Sequence, residues 1–409
     1  MKLLHTSDWH IGKLLHKKKR YEEFEQFFAW LETVLRTEQI DALLVAGDIF
    51  DTTTPSNRSQ ELYYSFLSRI AGTSCRHVVI TAGNHDSPTL LNAPRDVLRH
   101  LNIHVVGCVS ETIDDEVLVL RDRRGDPELI VCAVPYLRDA DVRTADDGET
   151  PDDKTNKTLD GIRRHYGQVV EKAEDIRREL KGNIPVVAMG HLFAAGGETT
   201  EGDGVRDLYI GNLASVTADV FPPTLGYVAL GHLHKPQKMN HSETRRYCGS
   251  PLPMGFGEAQ QQKYVVIIDT DTDPWSVRPV GIPCFQKLMQ LRGTWSSITA
   301  QLKELNRTGV PHWLEIVYDG ADIAGSLQEH IDAAVMNTNH TVLAAIDMRR
   351  TQAMTAGLDA ALSLDEMTEE DLFMRCLESK EIADEHRPAL METFREALMD
   401  LKNGDHNAG

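Results

Sequence analysis

A chain of 409 residues with 41% apolar and 26% charged residues exceeds one hydrophobic core and has the makeup of a globular protein of more than one domain. No apolar run approaches bilayer-spanning length and the first residues form no secretory h-region, which predicts a cytoplasmic protein with no membrane segment. A net charge of −19 argues against electrostatic coating of nucleic acid, because nonspecific affinity comes from Lys and Arg displacing phosphate counterions.

In chain order, short apolar runs at residues 2–5, 42–46, 78–82, 130–134, 186–189 and 227–230 read as strands, and amphipathic stretches between them read as helices. The first of these, 21–36, places Phe24, Phe27, Phe28, Leu31, Val34 and Leu35 on one face, a core-facing pattern. Just before it, Lys17, Lys18, Lys19 and Arg20 form a basic cluster, which is a candidate DNA contact and otherwise a solvated face. Residues 138–158 are acidic and centred on Pro151, which predicts a surface loop, followed by a charged helix to Leu180. After the apolar run 264–268, the texture becomes strand–helix–strand–helix–strand over 285–291, 297–305, 313–318, 323–335 and 341–348. From 365 the chain reads as helical, with Leu390, Phe394, Leu398 and Leu401 on one apolar stripe. The six cysteines are far apart, with no CxxC pair, and read as reduced packing residues.

Chemistry-bearing residues gather where apolar runs end: Asp8-Trp9-His10, Gly47-Asp48, Gly83-Asn84-His85-Asp86, Gly190-His191 and Gly231-His232-Leu233-His234. Carboxyl ends of strands in open α/β sheets line the ligand crevice, so these segments can converge. A preceding glycine lets the backbone approach closely. Carboxylates, imidazoles and one amide oxygen, without thiolate, are the donors of a dinuclear Mn, Fe, Co or Zn site. Asp48 is the candidate bridge; Asp8, His10 and His234 complete one ion, and Asn84, His191 and His232 the other. His85 is left to orient a phosphate or protonate a leaving oxygen, with Asp86 expected to hold its ring. One such dipeptide alone is no signal; the ordered set is.

In the order DxH, GD, GNHD, GH, GHxH the chain resembles the calcineurin-type metallophosphoesterase superfamily. That resemblance implies an α/β fold: a two-sheet sandwich flanked by helices over 1–280, with a smaller α+β capping domain over 281–350 and C-terminal helices over 351–409. The segments 5–12, 46–51, 83–87, 205–211 and 247–251 are similar to the SbcD nuclease family, the bacterial counterpart of the meiotic recombination nuclease. The family's metal ligands fall on Asp8, His10, Asp48, Asn84, His191, His232 and His234, and its catalytic histidine on His85. Asp51 stands where archaeal relatives carry a second histidine, and no catalytic role is assigned to it.

The resemblance further implies a manganese-dependent nuclease that degrades duplex ends from the 3′ side and nicks single strands and hairpins. It also implies an SbcC-type coiled-coil ATPase partner docked on Leu390, Phe394, Leu398 and Leu401, and a nucleoid-associated place in the cytoplasm. A homodimer within a heterotetramer is expected, with Leu62, Tyr63, Phe66, Leu90, Leu91 and Leu98 as apolar anchors. Two alternatives are a small-molecule metallophosphodiesterase and a DNA-tethering subunit that does not cut. Phosphoprotein phosphatases of the superfamily carry an arginine soon after the second motif, whereas Asp51 is followed here by Thr52, Thr53 and Thr54.

Overall fold

The computed structural model describes the chain except residues 111, 145–149, 194–219 and 324, the side chains of 151 and 152, and most of 350–409. In that last stretch Phe373, Met374, Leu377, Arg387, Leu390, Met391, Thr393 and Phe394 are described. In chain order, β1 (Lys2–Thr6), a ribbon of β2 (Leu14–Leu15) and β3 (Lys18–Lys19), α1 (Tyr21–Thr37), β4 (Ala42–Ala46), α2 (Asn57–Ile70), β5 (His77–Thr81), α3 (Pro88–Asn92), α4 (Arg95–Arg99) and β6 (Ile103–Val106) come first. β7 (Val117–Arg121), β8 (Pro127–Ala133), α5 (Asp139–Val142), α6 (Pro151–Glu179), β9 (Val186–His191), β10 (Tyr227–Gly231), β11 (Gln237–Lys238), β12 (Arg245–Tyr247), β13 (Tyr264–Asp269) and β14 (Ser276–Gly281) follow.

These strands form two six-stranded sheets, ordered β14-β13-β1-β4-β5-β6 and β11-β12-β10-β9-β8-β7. β1, β4, β5 and β6 run parallel in the first, and β8, β9, β10 and β12 run parallel in the second. Period-two alternation explains how one strand serves two cores. In β4, Ala42, Leu44 and Ala46 meet Val131, Val187 and Ala229 of the opposite sheet. Leu43 and Val45 turn outward onto Phe24, Phe28 and Leu31 of α1. The second sheet does the same, with Cys132, Val186 and Val228 packed on Tyr166, Val169 and Ala173 of α6. The expected two-sheet sandwich flanked by helices is therefore present.

The chain divides into two compact units, one of residues 1–290, 309–315 and 339–344, the other of 291–308, 316–338 and 345–409. The expected border at 280/281 would cut off Gly281, the last residue of β14, which pairs with Tyr264. Beyond it, β15 (Lys287–Gly293), α7 (Trp295–Thr308), β16 (His312–Tyr318), α8 (Leu327–Val335) and β17 (Thr341–Asp347) reproduce the expected alternation, in a three-stranded sheet ordered β15-β16-β17. In the second unit, Asp322 accepts the backbone N–H groups of Trp295 and Ser296, each at 3.0 Å, and so satisfies orphan donors of the first turn of α7.

Several expectations need correction. Among the described residues of the predicted loop over 138–158, Asp139–Val142 and Pro151 onward are helical: Thr150 caps α6 in a capping box with Asp153, and Pro151 takes its first turn. An acidic cluster around a proline is a helix start when a capping threonine precedes it. Arg20 does not belong to a DNA-facing cluster, because it is 2% exposed, donates to both Glu23 carboxylate oxygens at 2.7 and 2.8 Å and reaches the Pro253 carbonyl at 2.6 Å. Lys17, Lys18 and Lys19 are exposed, with the Lys18 ammonium 5.6 Å from the Trp313 ring centroid. Arg20→Ala leaves Glu23 buried without its cation and is expected to cost about 3–5 kcal/mol in denaturant unfolding, against less than about 0.5 kcal/mol for Lys19→Ala.

The proposed dimer anchors are mostly spent inside the chain: Leu62, Tyr63, Phe66, Leu91 and Leu98 are buried in the first core, and Leu90 packs against it. Their helical spacing marks a buried face, and that face is turned inward. Of the C-terminal stripe, Leu390 is 38% exposed and Phe394 stacks on Phe373, with centroids 4.1 Å apart, while Leu398 and Leu401 lie outside the described residues. Among the cysteines, Cys75, Cys132 and Cys248 are buried and unpaired as expected, but Cys108 and Cys284 are exposed and do not serve packing; Cys376 lies outside the described residues. No described helix is long and apolar enough to cross a membrane.

Candidate metal centre

The predicted site residues come together at the carboxyl ends of the central strands of both sheets. β1 and β4 end side by side, and their following loops stay paired: the Asp8 N–H donates to Gly47 O and the His10 N–H to Asp48 O, both at 3.0 Å. Between them Trp9 is fully buried against Phe27, Phe28 and Phe66, and its indole donates to Thr6 Oγ1 at 3.0 Å. This anchor turns Asp8 and His10 to the opposite side.

The backbone there is strained. Asp8 (φ 51°), His10 (φ 47°), Asp48 (φ 51°) and His232 (φ 100°) all lie at positive φ, which few non-glycine residues adopt. Close approach also explains two glycines. A Cβ at Gly47 would lie 2.1 Å from His191 Nδ1, and one at Gly83 would lie 2.1 Å from an Asp48 carboxylate oxygen.

Around this frame the donors converge. His10 Nε2 lies 3.1 Å from His234 Nε2 and 3.4 Å from Asp48 Oδ2. His191 Nε2 lies 3.4 Å from the same Asp48 oxygen and 3.0 Å from Asn84 Oδ1, which in turn lies 3.1 Å from His232 Nδ1. Ligand atoms of Asp8, His10 and His234 lie within 4.8 Å of one another, as do those of Asp8, Asp48 and His191. Asp48 Oδ2 thus lies beside a ring nitrogen of each half, and Asp8 belongs to both groups as well.

Electrostatics tests the fit to cations. Asp8, His10, Asp48, His191, His232 and His234 are all buried. Burial pushes the Asp8 carboxyl up to about 6, with Asp48 adding to the rise and His191 and His10 opposing it. Burial works the same way on Asp48, but the adjacent His191 and His10 hold its carboxyl well below the usual range. Burial disfavours the His191 cation, yet Asp48 and Asp8 draw the ring up to about 9, whereas burial and neighbouring His191 push His232 down to about 3. Carboxylate, amide oxygen and imidazole lone pairs facing one another in a buried space need positive charge between them. The residues fit a pair of divalent cations by donor type, by proximity and by sign.

His85 sits at the edge of this cluster, half-buried, with its ring centroid 4.8 Å from that of His10. Its backbone N–H donates to Asp48 Oδ1 at 2.9 Å, and its Nδ1 lies 2.9 Å from the Asp51 carbonyl, an acceptor that places the proton on Nδ1. Asp86 does not hold that ring as expected. It accepts from the N–H groups of Ile49, Phe50 and Gly83 at 3.1, 2.9 and 2.8 Å and so ties the second and third motif loops together. Adjacent residues on an extended turn point apart, which is why one binds the ring and the other the backbone.

Asp51 is weighed in the sequence reading and given no role; its carboxylate lies 3.3 Å from His10 Nδ1 and 3.1 Å from Lys13 Nζ. Glu258 and Lys263, which lie in no motif, are not singled out there at all; only the tertiary fold brings them behind His234, with Lys263 Nζ 3.0 Å from its carbonyl oxygen.

Residues 1–236 match the family model of the calcineurin-like phosphoesterase, and residues 284–381 match that of the Type 5 capsule protein repressor C-terminal domain, a span that crosses the expected border at 350/351. The chain is 34% identical over 411 residues to the D subunit of nuclease SbcCD from Escherichia coli (strain K12), covering 100% of each. It is 39% identical over 275 residues to that of Rhodobacter capsulatus, 66% of each chain. Among solved structures, TT1561 of Thermus thermophilus aligns with a TM-score of 0.35 and 14% identity over 69% of this chain and 99% of that one.

Proposed function

Because the chain belongs to the calcineurin-like phosphoesterases, and within them to the SbcD family of SbcCD nuclease subunits, we propose that it is a two-metal DNA phosphodiesterase acting with an SbcC-type ATPase in DNA end processing. The observation that carries the reading is the facing set of Asp8, His10, Asp48, Asn84, His191, His232 and His234, with Asp48 shared between its halves. Asp8, His10 and His234 would hold one ion and Asn84, His191 and His232 the other, with Asp48 available to both. Their mixed oxygen and nitrogen donors, without thiolate, suit manganese. Such a pair supplies a Lewis-acid field that lowers the pKa of water and offsets charge on a phosphodiester undergoing in-line displacement.

The chain's own residues do the rest. The Asp51 carbonyl fixes the His85 tautomer, so that Nε2 is the atom left for a phosphate oxygen or the departing 3′ or 5′ oxygen. Burial, with His10 adding to it, lowers the ring below its usual range against Asp48, which keeps it neutral near pH 7 until an anionic substrate arrives. Asp86 holds the loops carrying Asp48 and His85 in one body. The same reading, supported by the resemblance to that family, includes double-strand exonuclease action from the 3′ side, endonuclease action on single strands and hairpins, a homodimer within a heterotetramer, and a cytoplasmic, nucleoid-associated place. DNA capping falls to the strand–helix alternation from Lys287 to Asp347, and exposed Lys17, Lys18 and Lys19 mark one approach of DNA.

Docking of the ATPase falls to the C-terminal segment. Deleting residues 365–409 is expected to abolish co-purification with the ATPase while manganese content stays unchanged; retained co-purification sinks that assignment. Substrate class is tested by comparing end-labelled duplex and hairpin DNA with bis-p-nitrophenyl phosphate, with and without ATPase and ATP. Cleavage of DNA is the expected result. Hydrolysis of the small diester alone would favour the small-molecule alternative, and binding of DNA without cleavage of either would favour a tether.

A further inference from the structure

A buried charge pair lies behind His234 and takes no part in the roles assigned above. Lys263 is 4% exposed and Glu258 is fully buried, and the ammonium of one bonds a carboxylate oxygen of the other. An ion pair in such a place is costly and weak as a stabiliser, so its position is the informative feature. The Lys263 ammonium also donates to the His234 backbone carbonyl at 3.0 Å and to Ser250 Oγ at 3.1 Å, and the Ser250 N–H donates to that same carbonyl at 3.1 Å. Glu258 Oε2 is further held by the Met254 N–H at 3.0 Å. The other oxygen, Glu258 Oε1, has no hydrogen-bond partner among the described residues and lies 3.9 Å from His234 Nδ1. The opposite ring nitrogen of His234, Nε2, is the one that faces His10.

We propose that Glu258, anchored by Lys263, is a positioning residue for His234: the pair fixes the backbone of that residue from behind and sets a carboxylate toward Nδ1, so that Nε2 presents its lone pair to a divalent cation. The inference rests on reading the cluster as a metal site. At 3.9 Å the carboxylate acts on the ring by charge rather than by a hydrogen bond, favouring the N–H on Nδ1, while the bonded Lys263 holds the backbone behind it. Removing an outer partner of a ligating imidazole typically weakens metal binding by about 10–100-fold. The consequence is asymmetric: the ion held by Asp8, His10 and His234 depends on Glu258, while the ion held by Asn84, His191 and His232 does not.

The test is a Mn2+ titration of the full chain, following free Mn2+ by electron paramagnetic resonance, for wild type, Glu258→Gln, the double variant Glu258→Gln/Lys263→Met, and His234→Ala. The double variant removes both charges together and keeps the experiment decisive if the single variant leaves Lys263 unpaired and fails to fold. The expected result is two ions per wild-type chain, and in the Glu258 variants one of them bound about 10–100-fold more weakly with the other unchanged. Two ions bound by the double variant as tightly as by wild type, or both weakened equally, would overturn the positioning role. If wild type takes up no Mn2+, or His234→Ala binds like wild type, the metal reading itself fails, and that outcome is distinguishable from the others.

Discussion

His85→Ala is expected to bind two Mn2+ ions as wild type does and to cleave DNA about 10²–10⁴-fold more slowly, the usual contribution of a positioned acid–base group. The reason is local. His85 gives Asp48 Oδ1 its backbone N–H at 2.9 Å, and alanine keeps that donor; its ring lies within 4.8 Å of donor atoms of His10 and Asp51, outside the groups of Asp8, Asp48 and His191. What alanine removes is the ring, which the Asp51 carbonyl holds beside His10. Single-turnover cleavage of a labelled hairpin, run beside a Mn2+ titration, separates the two. Loss of an ion together with activity would make His85 part of the metal-holding set, and unchanged turnover would remove it from the chemistry.

Asp48→Asn is expected to have the opposite signature. Its Oδ2 lies 3.4 Å from both His10 Nε2 and His191 Nε2, and its Oδ1 receives His85 N–H, so one carboxylate serves both halves of the site. Asparagine keeps the volume and loses the charge. Affinity for both ions should fall by at least about 100-fold, given that outer partners alone are worth about 10–100-fold, and cleavage should fall below detection. Calorimetric titration with MnCl2 reads this directly. An Asp48→Asn protein that still binds two ions with wild-type affinity would rule out the bridge.

Much of this was legible in the sequence, for physical reasons that particular residues make plain. Buried parallel strands are continuous apolar runs, so the run expected at 42–46 is Ala42–Ala46, and that expected at 78–82 is His77–Thr81, displaced by one residue. Each ends in a motif, because glycine is needed where Gly47 and Gly83 pass His191 and Asp48. Residue type then named the chemistry. What was not legible is which surface an apolar face meets. Leu62, Tyr63 and Phe66 have the spacing of an interface helix and of a core helix alike, and only the fold shows that α2 turns them inward.

Long-range partners were equally hidden. Glu258 and Lys263 look like ordinary surface charges until the chain returns them behind His234. Arg20 was different, since Glu23 three residues later in α1 already offered a partner for it. The acidic stretch around Pro151 also carried its own signal, a threonine before it and an aspartate three residues beyond that threonine, which outweighs composition as evidence of a loop.

Whether this chain cuts DNA with two manganese ions held by one shared cluster is tested most directly by metal titration and cleavage read together. MnCl2 is added stepwise to chelator-stripped protein, with an SbcC-type ATPase and ATP present, while bound manganese and cleavage of a labelled hairpin are recorded in the same samples. Cleavage that rises with the second ion and saturates at two per chain is the predicted result; full cleavage by the stripped protein, or saturation at one ion, would contradict it.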